Sequence, residues 1–315
     1  RYNNNNNKQM DEDYTKPVYD LYAHISSEKR ISDEFAALEV EFQSHNQQTL
    51  EGTLKHNTPK NRYTNILPCD STRVKLEKID GQEGSDYINA NFINGEYEKQ
   101  YICTQGPLQN TIVDFWRMVW ENNSRIIVML SKELENYRPK CDRYWSDNQT
   151  RTITHYQYEG WPDHNAPNDT EPLRHLLHMI NATQNSLKRE GIASPFVVHC
   201  SAGVGRTGTF CTVHMMMSRI DNTVPGHRID FNIFNIVKNL RKQRPGMVQQ
   251  LEQYLFCYAT IADELRERDS NNEGINNNNN NSSDEDDNDS DDDNHHNNND
   301  NNKNNNRNNN KDHLV

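Results

Sequence analysis

No stretch of this 315-residue chain stays apolar for long. The longest aliphatic run is Ile126–Leu130, whereas a helix that crosses a bilayer needs about 20 such residues. No membrane segment is expected in this chain. There is no Cys-x-x-Cys pair either; the six cysteines stand apart at 69, 103, 141, 200, 211 and 257. Scattered thiols argue against a disulfide framework or a zinc site and for a reducing, cytoplasmic setting. Basic side chains are outnumbered, 34 against 46 acidic ones. A general nucleic-acid binder needs a basic face, so nucleic acid is not an expected partner. No signal peptide can be read, and the first residue is Arg1, as expected of a piece of a longer polypeptide.

The charge is also uneven. From Asp269 to Val315 the chain has 21 asparagines in 47 residues, 12 acidic side chains and 3 basic ones, so most of the net −12 belongs to this tail. Its only aliphatic residues are Ile275, Leu314 and Val315. Such a segment cannot bury enough apolar surface to offset its ordering entropy and is expected to be disordered. Residues 1–25, with the run Asn3–Asn7 and an acidic stretch, are expected to be a disordered lead-in. The body, 26–268, is long enough for one domain with a substantial core. His295 and His296 and the acidic run Asp284–Asp293 read as solvated low complexity, because the run lacks the glycine and glutamate spacing of a calcium loop.

Within the body, alternating or continuous apolar residues predict strands over Val74–Ile79, Tyr87–Ile93, Tyr101–Thr104, Arg125–Leu130, Thr150–Tyr158 and Phe196–Val198. Helical spacing predicts helices over Ser32–Phe42, Thr111–Glu121, Pro172–Glu190, Thr207–Arg219, Phe231–Gln243 and Gln249–Arg268. Ser32 or Asp33 would cap the first. Strands mixed with helices indicate an α/β or α+β domain. Phe115, Trp116, Trp120 and Met215–Met217 are expected in the core.

The most informative segment is Phe196-Val-Val-His-Cys-Ser-Ala-Gly-Val-Gly-Arg-Thr-Gly208. It runs from a strand through small residues into a helix. Ser201, Ala202, Gly203, Val204 and Gly205 suit a tight turn with amides pointing inward. Amides at a helix N-terminus form an anion site, since orphan N–H groups and the helix dipole both favour negative charge. Arg206 adds a planar fork for two phosphate oxygens. The same surroundings stabilise the thiolate of Cys200. An anion pocket with a nucleophile at its base suits attack of sulfur on a bound phosphoryl group, giving a phosphocysteine. A lone Cys-x5-Arg spacing would more often be a buried structural cysteine; the histidine, serine, glycines and Thr-Gly around it weigh against that.

His199–Gly208 resembles the signature of the tyrosine-specific protein phosphatases, Cys-based enzymes that hydrolyse phosphotyrosine in proteins. Further motifs resemble the family in order: Lys60–Leu67, Asp86–Asn91, Thr104–Leu108, Phe115–Met118, Lys140-Cys141, Trp161-Pro-Asp163, and Gln249 with Gln253. The resemblance implies a single domain with a highly twisted mixed sheet flanked by helices, phosphotyrosine-containing proteins as partners, and no metal or organic cofactor. It implies Asp163 as the acid on a mobile loop and then the base for water, Gln249 as positioner of that water, and Gln253 in support. Thr207 would assist breakdown of the phosphocysteine. Glu135 would hold Arg206, and Lys140 would approach the acid loop on closure. Tyr63 would flank the phosphotyrosine ring and set a depth that phosphoserine and lipid phosphates do not suit, and Asn65 would bond the substrate backbone.

Two departures stand out. Asn165 replaces the glycine usual two residues after the acid; asparagine tolerates left-handed backbone better than most residues. And only 16 residues lead from Trp145 to Trp161, an interval roughly three times as long in the family. The shortage lies around Ser146–Gln149. Either a dispensable meander is absent, or a sheet edge is exposed. Two readings follow: an active phosphatase, or a phosphotyrosine-binding module that turns over poorly because acid-loop closure is disturbed.

Overall fold

Two apolar runs far apart in sequence, Ile126–Met129 and Phe196–His199, lie side by side and parallel, with Ile127 opposite Val197 and Met129 opposite His199. The computed structural model describes residues 27–44, 47–145, 151–162, 165–223, 229 and 231–280, with 43–44 and 271–280 as backbone only. By contacts the chain divides into Arg1–Ser270 and Asn271–Val315. The sheet and the site belong to the first unit.

The elements in order are α1 (Glu28–Ser44), α2 (Leu50–Thr53), β1 (Arg73–Lys75), β2 (Tyr87–Ile93), β3 (Tyr101–Thr104), α3 (Ile112–Glu121), β4 (Ile126–Met129), β5 (Leu134–Glu135), β6 (Arg138–Pro139), β7 (Thr154–Gln157), α4 (Glu171–Arg189), β8 (Phe196–His199), α5 (Gly205–Asn222), α6 (Ile233–Gln243) and α7 (Leu251–Asn280). Short 3-10 turns sit at Thr58–Lys60 and Gln109–Thr111. Six strands form a mixed sheet in the order β1-β2-β3-β8-β4-β7, and β5 and β6 form a separate hairpin. β1-β2-β3 are antiparallel, while β3, β8, β4 and β7 run parallel. The central strand β8 is buried along its whole length, which is why it reads as a continuous apolar run and not an alternation. Its carboxyl end, where ligands gather in open parallel sheets, delivers His199 and Cys200.

Both faces of the sheet are covered. One cluster gathers Val128, Val198, Phe210, Met216, Leu177 and Ile261; the other gathers Ile88, Ile102, Phe115, Met118 and Ile127. Helix α5 is buried on all sides from Gly205 to Met217, so it is the hub of the domain and the methionine run is core, as expected.

Several boundaries differ from the sequence-based expectations. Helix α1 begins at Glu28, with Arg30 and Ile31 donating to the Ser27 carbonyl; buried Ile31 continues the stripe of Phe35, Leu38 and Phe42 one turn earlier than Ser32 or Asp33. Strand β1 stops at Lys75, because its partner β2 begins at Tyr87 opposite Lys75 and leaves nothing for Lys78 or Ile79 to pair with. Strand β7 is limited by its four-residue neighbour β4. Thr154 donates to the Arg125 carbonyl and Tyr158 to that of Met129, closing both ends of the ladder. Helix α7 runs from Leu251 to Asn280, beyond the Arg268 end expected of that helix, because adding residues to a formed helix needs no new nucleus. Trp120 is not core: it is 56% exposed, with the Arg151 guanidinium 3.6 Å from its ring centre. The lead-in, residues 281–315 and Ser146–Thr150 lie outside the described residues.

Buried histidines give the fold a pH dependence. The Tyr101 hydroxyl lies 2.6 Å from His214 Nδ1, and His214 Nε2 lies 2.8 Å from Asn181 Oδ1. Asn181 Oδ1 can only accept, so His214 Nε2 carries a proton. Burial pushes His155, His199 and His214 down from 6.5 to about 4, 3 and 4. Below pH 6.5 the unfolded chain takes up these protons and the folded chain does not. Their contribution is therefore fully present above pH 6.5 and is lost as pH falls toward 4. Urea midpoints should drop between pH 7.5 and 5.0, and His214→Gln should show a smaller drop; an equal or higher wild-type midpoint at pH 5.0 would contradict this.

Candidate active site

The loop after β8 is shaped by where its carbonyls go. The His199 carbonyl accepts from Leu130 N–H, and that of Ser201 from Gly106 N–H. The Cys200 carbonyl lies 3.1 Å from His199 Nδ1. Ala202 and Gly203 carbonyls accept from the Arg244 guanidinium at 3.0 and 2.8 Å. The Val204 carbonyl accepts from Gly208 and Val248. Each carbonyl from His199 to Val204 is thus drawn to a partner at the back of the loop. In a planar trans peptide the next N–H points the opposite way, so the amides of Ser201 through Gly205 turn toward the Cys200 side. The Gly203 amide lies 3.3 Å from Cys200 Sγ, as does Thr207 Oγ1. Cys200 is buried, at 5% exposure.

Glycine is required at two places here. Gly203 has φ +71°, and a Cβ there would sit 2.0 Å from the Thr104 carbonyl oxygen; a Cβ on Gly208 would meet the Val248 backbone at 2.4 Å.

Arg206, in the first turn of α5, is gripped by Glu135: Nη1 to Oε1 at 2.6 Å and Nη2 to Oε2 at 2.8 Å. The same nitrogens donate to the carbonyls of Leu130 at 3.0 Å and Pro162 at 2.9 Å. Lys140 Nζ stands 3.9 Å from Glu135. The Pro162 carbonyl belongs to the acid-loop motif. Asp163 and His164 lie outside the described residues, but their flanks are held: Trp161 is buried, and its Nε1 donates to the Asn165 carbonyl at 3.2 Å. Asn165 has φ +73°, the left-handed conformation that asparagine in glycine's place was expected to tolerate.

Tyr63 stands partly exposed at the rim, its hydroxyl 2.8 Å from Ser201 Oγ. Its neighbour Arg62 ties that rim to the carbonyls of Gly106 and Pro107 and to Asp142. Gln253 is buried against Gly205 and accepts from the Gln249 amide at 2.9 Å; Gln249 itself is exposed, as is Asn65. Cys200, Ser201, Ala202, Gly203, Val204, Gly205, Arg206, Thr207, Glu135, Lys140, Tyr63 and Gln253 are therefore linked into one site, with Gln249 on its margin. Among the described residues no group of three metal-ligating side chains comes together.

Two parts of the site were not anticipated from sequence. Arg244 is fully buried, and its four hydrogen bonds go to neutral oxygens: the carbonyls of Ala202 and Gly203, Asn91 Oδ1 at 2.7 Å and Asn89 Oδ1 at 2.9 Å. Burial lowers its pKa, while Cys103 and Cys200 act to raise it. A guanidinium with no carboxylate on it adds positive potential directly behind the loop. Its only sequence signal is its place in Arg244-Pro-Gly, just before Gln249. The second part is a chain of polar groups beneath Cys200. The Tyr144 hydroxyl lies 2.8 Å from both His199 Nε2 and His155 Nε2. With His199 neutral and Nδ1–H given to the Cys200 carbonyl, Nε2 accepts from Tyr144, whose oxygen accepts from His155.

The family model described as protein-tyrosine phosphatase matches residues 57–152 and 146–263. Tyrosine-protein phosphatase 1 of Dictyostelium discoideum is 40% identical over 411 residues, covering 85% of this chain and 78% of the relative. Receptor-type tyrosine-protein phosphatase F is 37% identical in Danio rerio and 36% in Homo sapiens, each over 296 residues and 80% of this chain. The chain spans 15% of the length of those receptor-type relatives. These alignments are longer than the share of the chain they use, so the relatives carry residues this chain lacks. The two family matches meet at 146–152, where the sequence is short.

Two substitutions probe the loop. Arg244→Met strands four buried acceptor oxygens and should cost on the order of 3 kcal/mol, a fall in Tm of roughly 6–12 °C. Gly203→Ala should weaken vanadate binding, measured by calorimetry, because the peptide that aims its amide at Cys200 cannot keep its place. Vanadate affinity equal to wild type in Gly203→Ala would show that this amide is not part of the anion cradle.

Proposed function

The chain belongs to the protein-tyrosine phosphatase family, and on that footing we propose that it hydrolyses phosphotyrosine in proteins through a phosphocysteine intermediate. The observation that carries this reading is the loop itself: outward carbonyls, inward amides, and a thiol at the centre with a helix N-terminus and two arginines around it. Such a cradle suits a dianionic phosphoryl group.

In the first step Cys200 Sγ attacks phosphorus while the bond to the tyrosine oxygen breaks, and Asp163 gives that oxygen its proton. Loop amides and Arg206 hold the three non-bridging oxygens. Four N–H groups of Arg206 are committed to Glu135, Leu130 and Pro162. A two-point contact with phosphate has to displace at least one of these partners, and the Pro162 carbonyl is the one that belongs to the acid-loop motif. Pro162 precedes Asp163, so arrival of phosphate is coupled to the acid loop through one guanidinium. In the second step Asp163 takes a proton from water held by Gln249, with Gln253 fixing the Gln249 backbone, and the thiolate leaves with the Thr207 hydroxyl beside it. Tyr63 flanks the substrate ring, Asn65 meets the peptide backbone, and Lys140 approaches the closed acid loop.

The domain boundaries proposed are a lead-in of 1–25, a catalytic domain of 26–268 and a tail of 269–315. No helix among the described residues is long and apolar enough to cross a membrane. Six free cysteines suit a reducing, cytoplasmic setting.

The alternative, a phosphotyrosine-binding module with poor turnover, draws on the short interval before the acid loop. Against it, β7 pairs with β4 along its full length and Trp161 is seated in the core, so the anchors of the acid loop are present without the longer segment. The deciding assay is release of phosphate from a phosphotyrosyl peptide by the purified chain. Wild type should turn over phosphotyrosine and not phosphoserine, and vanadate should inhibit. Cys200→Ser should abolish turnover, and Asp163→Asn should lower kcat roughly 10²- to 10⁴-fold. Peptide binding without turnover by a folded wild-type chain would leave the binding module as the better reading.

A further inference from the structure

The hairpin that supplies Glu135 carries one residue that its own geometry disfavours. Strands β5 and β6 are joined by Asn136 and Tyr137, with φ of +48° and +59°. A two-residue turn with positive φ at both positions ordinarily takes asparagine first and glycine second, because a Cβ in the left-handed region meets the backbone. Asparagine is where it should be; tyrosine stands where glycine belongs. Packing does not offset the strain, since Tyr137 is 97% exposed. Strained residues of this kind concentrate at functional sites, and the location fits. Glu135, two residues earlier, is bidentate on Arg206, and two residues of chain reach no further than about 7 Å. On the return strand, the Pro139 carbonyl accepts from Arg62 at 3.4 Å. Arg62 adjoins Tyr63, whose hydroxyl bonds Ser201. The hairpin is thus continuous with two walls of the phosphate pocket, and Tyr137 stands at its tip.

We propose that Tyr137 is a specificity-determining contact for the peptide that carries the phosphotyrosine. Its ring stacks on an apolar or aromatic side chain near the phosphotyrosine, outside the phosphate pocket. An exposed, two-torsion aromatic ring is the residue type that supplies most contact area for least ordering cost at recognition surfaces. The proposal rests on the phosphatase reading and adds the substrate's flanking chemistry to it.

The test compares the full chain with Tyr137→Gly. Substrates are p-nitrophenyl phosphate, a phosphotyrosyl peptide flanked by glycines, and peptides with phenylalanine moved through the two positions on either side. In wild type, kcat/KM should be highest for one phenylalanine peptide. In Tyr137→Gly that preference should fall roughly 3- to 10-fold, with Tm at or above wild type because glycine relieves the turn. A preference that survives the substitution overturns the proposal. So does an equal loss on every substrate, or a lower Tm, either of which makes Tyr137 a structural part of the hairpin. A wild-type chain that hydrolyses neither p-nitrophenyl phosphate nor any peptide fails the phosphatase reading itself, and Tyr137 with it.

Discussion

The site depends on a single buried charge and the carbonyls it attracts. A loop of small residues has no side chains with which to hold its shape. Left to itself it would turn its carbonyls and amides in whichever directions water favoured. Arg244, behind the loop, takes two of those carbonyls and anchors itself on Asn89 and Asn91 of β2. Gly106, Leu130, Gly208 and Val248 take others. Because each peptide is planar, fixing the carbonyl fixes the amide. The anion cradle is therefore built from behind, by groups that do not face the substrate.

The same logic places the charged fork. A guanidinium could swing freely on its long stem, but Arg206 is held end-on by Glu135 from a separate hairpin. That pair is buried, and burying an ion pair is tolerable only when its geometry is close and its remaining donors are met. Here Leu130 and Pro162 meet them. The positive charge left uncompensated is that of Arg244, so the Cys200 side of the loop faces cationic potential even though Arg206 is paired.

The sheet explains why these parts meet. β8 lies between β3 and β4 in a parallel register, so the loop after β8 emerges between Gly106 after β3 and Leu130 after β4. Beneath it, Tyr144 joins His199 to His155 on β7, with Trp145 stacked on His155. That aromatic group packs where the short interval before the acid loop leaves the sheet with β7 at its end. Shortness there has not removed the strand that leads to Trp161.

Much of this was legible in the order of residues. The strand, the small-residue turn and the helix around Cys200 follow from local rules, since burial makes β8 continuously apolar and only glycine fits Gly203 and Gly208. Asn165 was readable as a left-handed position, and Tyr63, Arg206 and Thr207 from the motifs that contain them. Boundaries were less legible: β1 ends where β2 has no residue to offer, and α1 begins a turn early because Ile31 finds the core. Tyr144 and His155 could not be read as site residues, because nothing in their own neighbourhoods marks them, and Arg244 had only its place before Gln249 to mark it. Their roles come from hydrogen bonds to residues 41 to 155 positions away in the case of Arg244, and a sequence carries no direct record of such pairings. What the sequence determined by itself was chemistry held within a few bonds: a nucleophile, its turn and its arginine. What only the tertiary structure decided was direction, because which way a carbonyl, a guanidinium or an imidazole proton points depends on partners that folding alone brings within reach.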